Sequence, residues 1–300
     1  GFLIVNLMAK TLFISDLDGT LLSSDSRLSA NTVAMLNEAI SKGALFSVAT
    51  ARTPSTVAIL LKDVEARLPF IVMTGAAVWN PLDKTFSHPV TMKQETAESI
   101  LATIHAHSLP AFIYTLKDNV IHIYHTGPLS EGEKNFISER DDSIYKVFHI
   151  AENGCSDIPA RLDNVVLFYA MQPSDIVEST YNDIRAHNDC NAVFYHDIYG
   201  PEIGLMEIFA PGASKADALK WLKLHTGADR VAAFGDNIND IPMLRVADVA
   251  IAVENAVEEV KEVADIIIGP NTSDSVAQFI LEAITAGNSD SADSTRNDNL

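Results

Sequence analysis

The amino-acid sequence predicts an α/β protein in which a parallel-sheet core is interrupted by an α+β insert. Three observations carry that prediction. Short apolar runs of strand length alternate with helix-periodic stretches at both ends of the chain. Four separate strand ends or helix starts deliver polar residues that a turn alone does not need. Between the two alternating regions the pattern changes to strands joined by a hairpin.

Taken in order, Thr11 to Ser15 (TLFIS) is the first apolar run, and it ends in the acidic turn DLDGT. Ser29 to Lys42 places Val33, Leu36, Ala39 and Ile40 on one helical face, and Gly43 closes that helix. Ala44 to Thr50 is the second run; Pro54 then opens a helix through Glu65, and Pro69 to Gly75 is the third run. Strands this short and this apolar, separated by helices, belong to a parallel sheet with crossover connections. In the middle, a helix from Gln94 to His107 precedes AFIYTL and VIHIYH, which Lys117-Asp118-Asn119 joins as a hairpin. A polar helical stretch, VVLFYAM (Val165 to Met171), a helix to His187 and AVFYH complete the insert.

The first rhythm then resumes. Leu205 to Ala210 reads as a strand, Ser214 to His225 as a helix and Val231 to Gly235 as a buried run. NDIPML opens a short helix, followed by DVAIAV, a helix around Glu258 and DIII before Gly269-Pro270. The expected division is therefore a core of residues 8–80 and 203–287, an inserted domain of 81–202, and a disordered tail of 288–300. From 287 to 299 the only aliphatic residue is one alanine, too little apolar surface to order a segment by burial.

Composition bounds the function. Over 300 residues, Lys plus Arg is 21 and Asp plus Glu is 40, a formal charge of −19. That field repels phosphate backbones and anionic membrane surfaces, which argues against nucleic-acid and membrane partners. A small phosphorylated molecule stays open, because one cation in a pocket reverses the field locally. The apolar share of 47% supplies a core and excludes disorder for the bulk of the chain. Cys155 and Cys190 do not make a disulfide framework. GFLIVNLMAK has no basic residue before its apolar run and no small-residue cleavage site, which argues against a targeting segment; Met8 is a candidate start, residues 1–7 in that case being a misassigned or vector-derived leader. The protein is expected in the cytoplasm, as a monomer or weak homodimer.

In sheets of this kind ligands bind beyond the C-terminal strand ends, near the switch in strand order. Asp16 to Thr20, Thr50 to Arg52, Ser214-Lys215 and Asp236 to Asp240 all fall there. Asp16 and Asp18 are close enough to repel unless a cation lies between them, and Mg²⁺ takes hard carboxylate oxygens. Asp236 and Asp240 offer a second acidic pair. Lys215 opens a helix, so its ammonium joins amides aimed at an anion, and Thr50 adds a hydroxyl. Carboxylates for a metal and cationic donors for an anion make a phosphate site, in which an aspartate can serve as nucleophile. Taken singly, each segment reads as an acidic turn, a strand-end hydroxyl or a solvated lysine; their common placement at strand ends favours the site. His105, His107, His122 and His125 lie on a helix and a hairpin with no ligand pattern and are expected to be surface or core histidines. No G-x-G segment has the spacing of a dinucleotide fingerprint.

The segments SDLDGTLL, VATAR, APGASKADALKWL and FGDNINDIPML, in this order, resemble the four motifs of haloacid dehalogenase-like hydrolases. The insert resembles the type 2B cap of the Cof-like sugar-phosphatase branch, and the likeness runs from Lys10 to about Ala286. It implies a Rossmann-like parallel-sheet core with an inserted α+β cap domain that closes over the core and selects the leaving group. It also implies Mg²⁺-dependent hydrolysis of a small phosphorylated metabolite, a sugar phosphate above all. By position, Asp16 is implied as nucleophile and metal ligand. Asp18 is implied as general acid and base, with its backbone carbonyl on the metal. Thr50, Lys215, Asn239 and the amides near Leu17 and Ala51 are implied to hold the phosphoryl group. Asp236 is the implied third metal ligand, with Asp240 and Arg52 just behind. Ala51, Thr74 and Ser275 stand where the family commonly has Gly, Asn and Gly. A phosphomutase or phosphotransferase, a non-catalytic phosphometabolite binder and an acidic scaffold are the alternative readings.

Overall fold

The computed structural model describes residues 10–138, 145–151, 156–197 and 200–297, and side chains as far as 287. The expectations about residues 1–7 and Cys155 lie outside the described residues. The chain divides into two compact units, residues 1–87 with 214–300, and residues 88–213.

The first unit begins with β1 (Thr11–Ser15), α1 (Ala30–Ser41), β2 (Leu45–Val48), α2 (Pro54–Leu60), β3 (Phe70–Val72), β4 (Ala77–Asn80) and β5 (Thr85–Ser87). The second contains α3 (Gln94–Ala106), β6 (Phe112–Lys117), β7 (Val120–His125), α4 (Glu131–Ser138) and β8 (Lys146–Phe148). It continues with β9 (Val165–Pro173), α5 (Ser174–His187), β10 (Asn191–His196) and β11 (Ile203–Phe209). The first unit resumes with α6 (Lys215–Thr226), β12 (Arg230–Gly235), α7 (Ile241–Val246) and β13 (Val249–Val253), then α8 (Glu258–Val263), β14 (Ile266–Ile268) and α9 (Ser275–Asn297).

The core sheet is parallel, with strand order β14-β13-β12-β1-β2. A parallel bridge from Ala49 to Ile71 attaches β3 to its edge. Central β1 is buried along its whole length, as a strand covered on both faces must be. β2 lies on one side of β1 and β12 on the other, so the chain leaves β1 in opposite directions and opens a crevice at its C-terminal end. β3, β4 and β5 form a small antiparallel sheet.

The second unit is a six-stranded sheet, β10-β11-β9-β6-β7-β8. α3 and α5 supply Ile100, Ile104, Val177 and Ile184 to a core shared with Phe168, Met206 and Ile208 of the sheet. The β6–β7 hairpin turns through Asp118 and Asn119, whose φ angles of +51° and +61° are those of the two-residue turns favoured between twisted strands.

Three elements differ from the sequence reading. β11, grouped by its apolar run with the later core strands, pairs antiparallel with β9 and β10 instead. A run of apolar residues shows burial but not which strand lies beside it. The third run ends as a strand at Val72, because Met73, Thr74 and Gly75 all take positive φ. Finally, helix α9 continues to Asn297, through most of the stretch expected to be a tail. Propagating a formed helix needs no apolar face, since nucleation has already been met by Val276, Ala277 and Ile280 in the core. No helix among the described residues is long and apolar enough to cross a membrane.

Candidate active site

The site is built on the C-terminal end of β1 and its two neighbours. Asp16 follows β1 and continues its ladder, its amide donating to Phe234 O at 3.0 Å. Leu17 to Thr20 then reverses the chain: Asp18 (φ −75°, ψ 119°) and Gly19 (φ 79°, ψ −7°) have the angles of a type II turn, which needs glycine at its third residue. A Cβ on Gly19 would lie 2.4 Å from Asp236 Oδ2, so the glycine also lets the turn approach the carboxylate that follows β12.

Behind this turn sits a buried charge cluster. Lys215, only 3% exposed, is the first residue of α6, whose N-cap Ser214 accepts from the Asp217 amide. Its Nζ donates to Asp16 Oδ1 at 2.5 Å and to Asp240 Oδ1 at 2.8 Å. The other oxygen of Asp240 accepts from the amides of Asp236 and Asn237, at 3.1 and 3.2 Å. Both Asp240 oxygens are thus engaged in holding its neighbours. Asp236 Oδ1 accepts from Thr20 Oγ1 at 2.7 Å. One oxygen from each of Asp16, Asp236 and Asp240 falls within 4.8 Å of the others. All are hard carboxylate donors, and an octahedral cation such as Mg²⁺ suits them.

The electrostatics follow from burial and crowding. Burial pushes the Asp16 carboxyl up to about 7, against the pull of Lys215 and with help from Asp240 and Asp236. Burial disfavours the Lys215 ammonium too, but Asp16 and Asp240 outweigh it and hold its pKa above the ordinary lysine value. Asp236 is likewise raised by burial, against its Thr20 hydrogen bond. A cation among these oxygens favours their ionised forms and relieves the crowding.

Asp18 points to a different partner. Arg52 grips it with both arms of the fork, Nε to Oδ2 at 2.8 Å and Nη2 to Oδ1 at 2.6 Å, and the carboxylate raises the guanidinium pKa. Thr50 is 1% exposed after β2, and its Oγ1 accepts from the Arg52 amide at 3.1 Å. The structure therefore brings together Asp16, Lys215, Asp236 and Asp240, and pairs Asp18 with Arg52. Leu17 is buried behind the turn, whereas Ala51 is exposed on its loop and Asn239 on the 3-10 turn Ile238–Asp240.

The four histidines do not converge. His107 pairs with Asp183 at 2.9 Å, His122 with His149 at 2.7 Å, and His125 is fully buried against Glu133 at 3.1 Å. Cys190 is half-buried, and burial raises its thiol pKa.

Three polar residues of the site have no role in the sequence reading. Thr20 stands inside the DLDGT segment, where a β-branched hydroxyl residue reads as an ordinary strand or turn residue. Asn255 donates to Gly19 O at 2.8 Å, and Asn271 donates to Leu22 O at 2.8 Å. Both partners lie more than two hundred residues away in sequence, and no local pattern marks such pairs.

Comparison with known proteins identifies the family. Residues 13–280 match the family model of haloacid dehalogenase-like hydrolases. The chain is 24% identical over 271 residues to the 5-amino-6-(5-phospho-D-ribitylamino)uracil phosphatase YitU of Bacillus subtilis, covering 89% of this chain and 95% of that one. It is 26% identical over 281 residues to the pyridoxal phosphate phosphatase YbhA of Escherichia coli, covering 91% and 98%. A haloacid dehalogenase-like hydrolase from Bacteroides thetaiotaomicron has the same fold, with a TM-score of 0.71 at 22% identity over 90% of this chain and 98% of that one. A parallel sheet with motif residues after three of its strands and a fourth motif opening α6, matched from residue 13 to 280 by one family model, makes this chain a member of the haloacid dehalogenase-like hydrolases.

Proposed function

We propose that the protein is a Mg²⁺-dependent phosphatase that hydrolyses a small phosphorylated metabolite, a sugar or polyol phosphate, through an aspartyl-phosphate at Asp16. The observation that carries this reading is the Asp16–Lys215–Asp240 cluster with Asp236 beside it: a carboxylate held against a buried ammonium at the C-terminal end of the central strand. An Asp16 oxygen attacks phosphorus, and the bond from phosphorus to the leaving oxygen breaks. Asp18 delivers a proton to that oxygen, then accepts one from the water that attacks the aspartyl-phosphate and frees Asp16. For either transfer one oxygen of Asp18 must leave the Arg52 fork.

Lys215 and Thr50, with the Leu17 and Ala51 amides and the Asn239 side chain, hold the phosphoryl oxygens. Asp16, Asp236 and the Asp18 carbonyl would hold Mg²⁺, which supplies positive charge against the phosphoryl oxygens when bound. Asp240 keeps Lys215 and the Asp236 loop in position. The names of the two relatives support this reading: both are phosphatases of small phosphorylated molecules, and the name of one places the phosphate on a ribityl chain.

The test is phosphate release from p-nitrophenyl phosphate, with Mg²⁺ and with chelator, for the wild type and Asp16→Asn. Metal-dependent turnover that disappears in Asp16→Asn is expected, followed by a preference for sugar phosphates over aryl esters in a substrate panel. Turnover that survives Asp16→Asn would sink the covalent mechanism.

A further inference from the structure

The type II turn from Leu17 to Thr20 carries the Asp18 carbonyl of the proposed metal site and the Thr20 hydroxyl, which donates to the Asp236 carboxylate. At its exit the Leu22 amide donates to Leu17 O at 2.8 Å. A turn with glycine at φ 79° has an alternative open to it, because the peptide between its central residues flips readily between the type I and type II arrangements. A partner outside the turn that bonds the glycine carbonyl selects one of the two arrangements.

The structure assigns that role to Asn255, acting with Asn271. Asn255 stands in the loop after β13, and its Nδ2 donates to Gly19 O at 2.8 Å. Its Oδ1 accepts from the Asn271 amide at 2.9 Å, so neither end of the side chain is free to turn. Asn271 in turn sends its own Nδ2 to Leu22 O at 2.8 Å, just beyond the turn. One asparagine thus grips the turn at its glycine and the other at its exit, and the two are tied to each other. The loop after β14 fixes the loop after β13, and together they fix the loop after β1. Resting on the phosphatase reading, we propose that Asn255 is a positioning residue for the metal site, holding the Asp18–Gly19 turn in the arrangement that presents its oxygens.

The chemistry predicts which substitutions matter. Asn255→Ala removes both bonds. Asn255→Asp keeps the acceptor for the Asn271 amide but turns a carboxylate oxygen toward Gly19 O, which has no proton to offer. Both should therefore loosen the turn, although the second preserves size and the tie to Asn271. Outer partners of this kind change metal affinity by about 10–100-fold.

The experiment measures Mn²⁺ binding by electron paramagnetic resonance on the full chain, without substrate, together with hydrogen exchange at residues 17–22 and the Mg²⁺ dependence of turnover. The expected result for both variants is a Mn²⁺ dissociation constant raised about tenfold. Faster exchange in the turn should accompany it, and kcat should recover largely at saturating Mg²⁺ with little change in the ester KM. Asp248→Ala is the control for general destabilisation. Asp248 accepts from Lys223 and from the Val231 amide near the start of β12, so its loss should lower the melting temperature and leave Mn²⁺ affinity unchanged. A Mn²⁺ constant in Asn255→Ala equal to that of the wild type overturns the proposal, as does a loss of affinity no larger than that of Asp248→Ala. If the wild type binds Mn²⁺ but hydrolyses no ester, the phosphatase reading fails while the binding comparison still decides the role of Asn255. If the wild type binds no Mn²⁺, the role of Asn255 falls with the metal site.

Discussion

Replacing Gly75 by alanine tests how tightly the crevice is assembled. Gly75 has φ +93°, and a Cβ there would lie 2.2 Å from Ser214 O, 2.3 Å from Ser214 C and 2.8 Å from Lys215 N. All three are backbone atoms, so no side chain can rotate away. Restoring a normal contact requires a displacement of about 1 Å. That displacement falls on the N-cap of α6 and on Lys215, whose Nζ must stay on Asp16 and Asp240. The positive φ costs an L-residue about 1–2 kcal/mol and the overpacking about 1–3 kcal/mol, for a stability loss of roughly 2–5 kcal/mol. The expected fall in melting temperature is roughly 5–15 °C. A misplacement of about 1 Å in a catalytic group is worth about a hundredfold in kcat. Circular dichroism melting and Mg²⁺-dependent release of p-nitrophenol, measured well below the melting temperature, provide the two readouts. An alanine variant with wild-type kcat would refute the reasoning, because it would mean that the position of Lys215 tolerates the shift.

Other perturbations follow from the same structure. Thr74, a β-branched residue at φ +57°, is strained, and Thr74→Asn should stabilise by about 1 kcal/mol because asparagine enters this region more easily; an unchanged or lower melting temperature would count against strain there. Asp274 accepts from Ser29 Oγ at 2.5 Å, Thr32 Oγ1 at 2.6 Å and Asn31 Nδ2 at 2.9 Å, tying the start of α1 to the start of α9, so Asp274→Ala should cost about 1–3 kcal/mol in denaturant unfolding. The Ser29, Thr32 and Asn31 hydrogen bonds hold its carboxyl below the ordinary aspartate value. Its contribution is therefore complete above the unfolded carboxyl pKa and is lost as pH falls through the lower folded value, and the gap between wild type and Asp274→Ala should narrow only in that acidic window. Mg²⁺ at about 100 times its dissociation constant should stabilise the wild type by about 2.7 kcal/mol and Asp236→Asn far less, a difference that calorimetry reads directly.

Much of the core was legible in the sequence because its signals are local. TLFIS, VAAFG and VAIAV are buried on both faces in the structure, and a strand of that kind is made mostly of apolar residues. The polar residues that follow such runs stand out against them, which is why Asp16 and Asp236, and Thr50 after β2, could be singled out by type and place. Ser29 before an apolar-periodic stretch and Lys117-Asp118-Asn119 between two strands are likewise local chemistry: a side chain capping its own helix, and two residues that accept positive φ.

What the sequence by itself determined, then, was the alternation of strands and helices, the acidic and cationic residues at the strand ends, and the family to which their order points. Only the tertiary structure decided who meets whom. It gave β11 to the sheet of the second unit, brought the two carboxylates of Asp16 and Asp240 onto one buried ammonium, and turned Asp18 toward Arg52. It also brought Asn255 and Asn271 onto a turn more than two hundred residues away. The physical reason is range. Periodicity, capping and turn preference act within a few residues of one another, whereas a hydrogen bond between distant segments leaves no mark on either segment until strand order and register have brought them together.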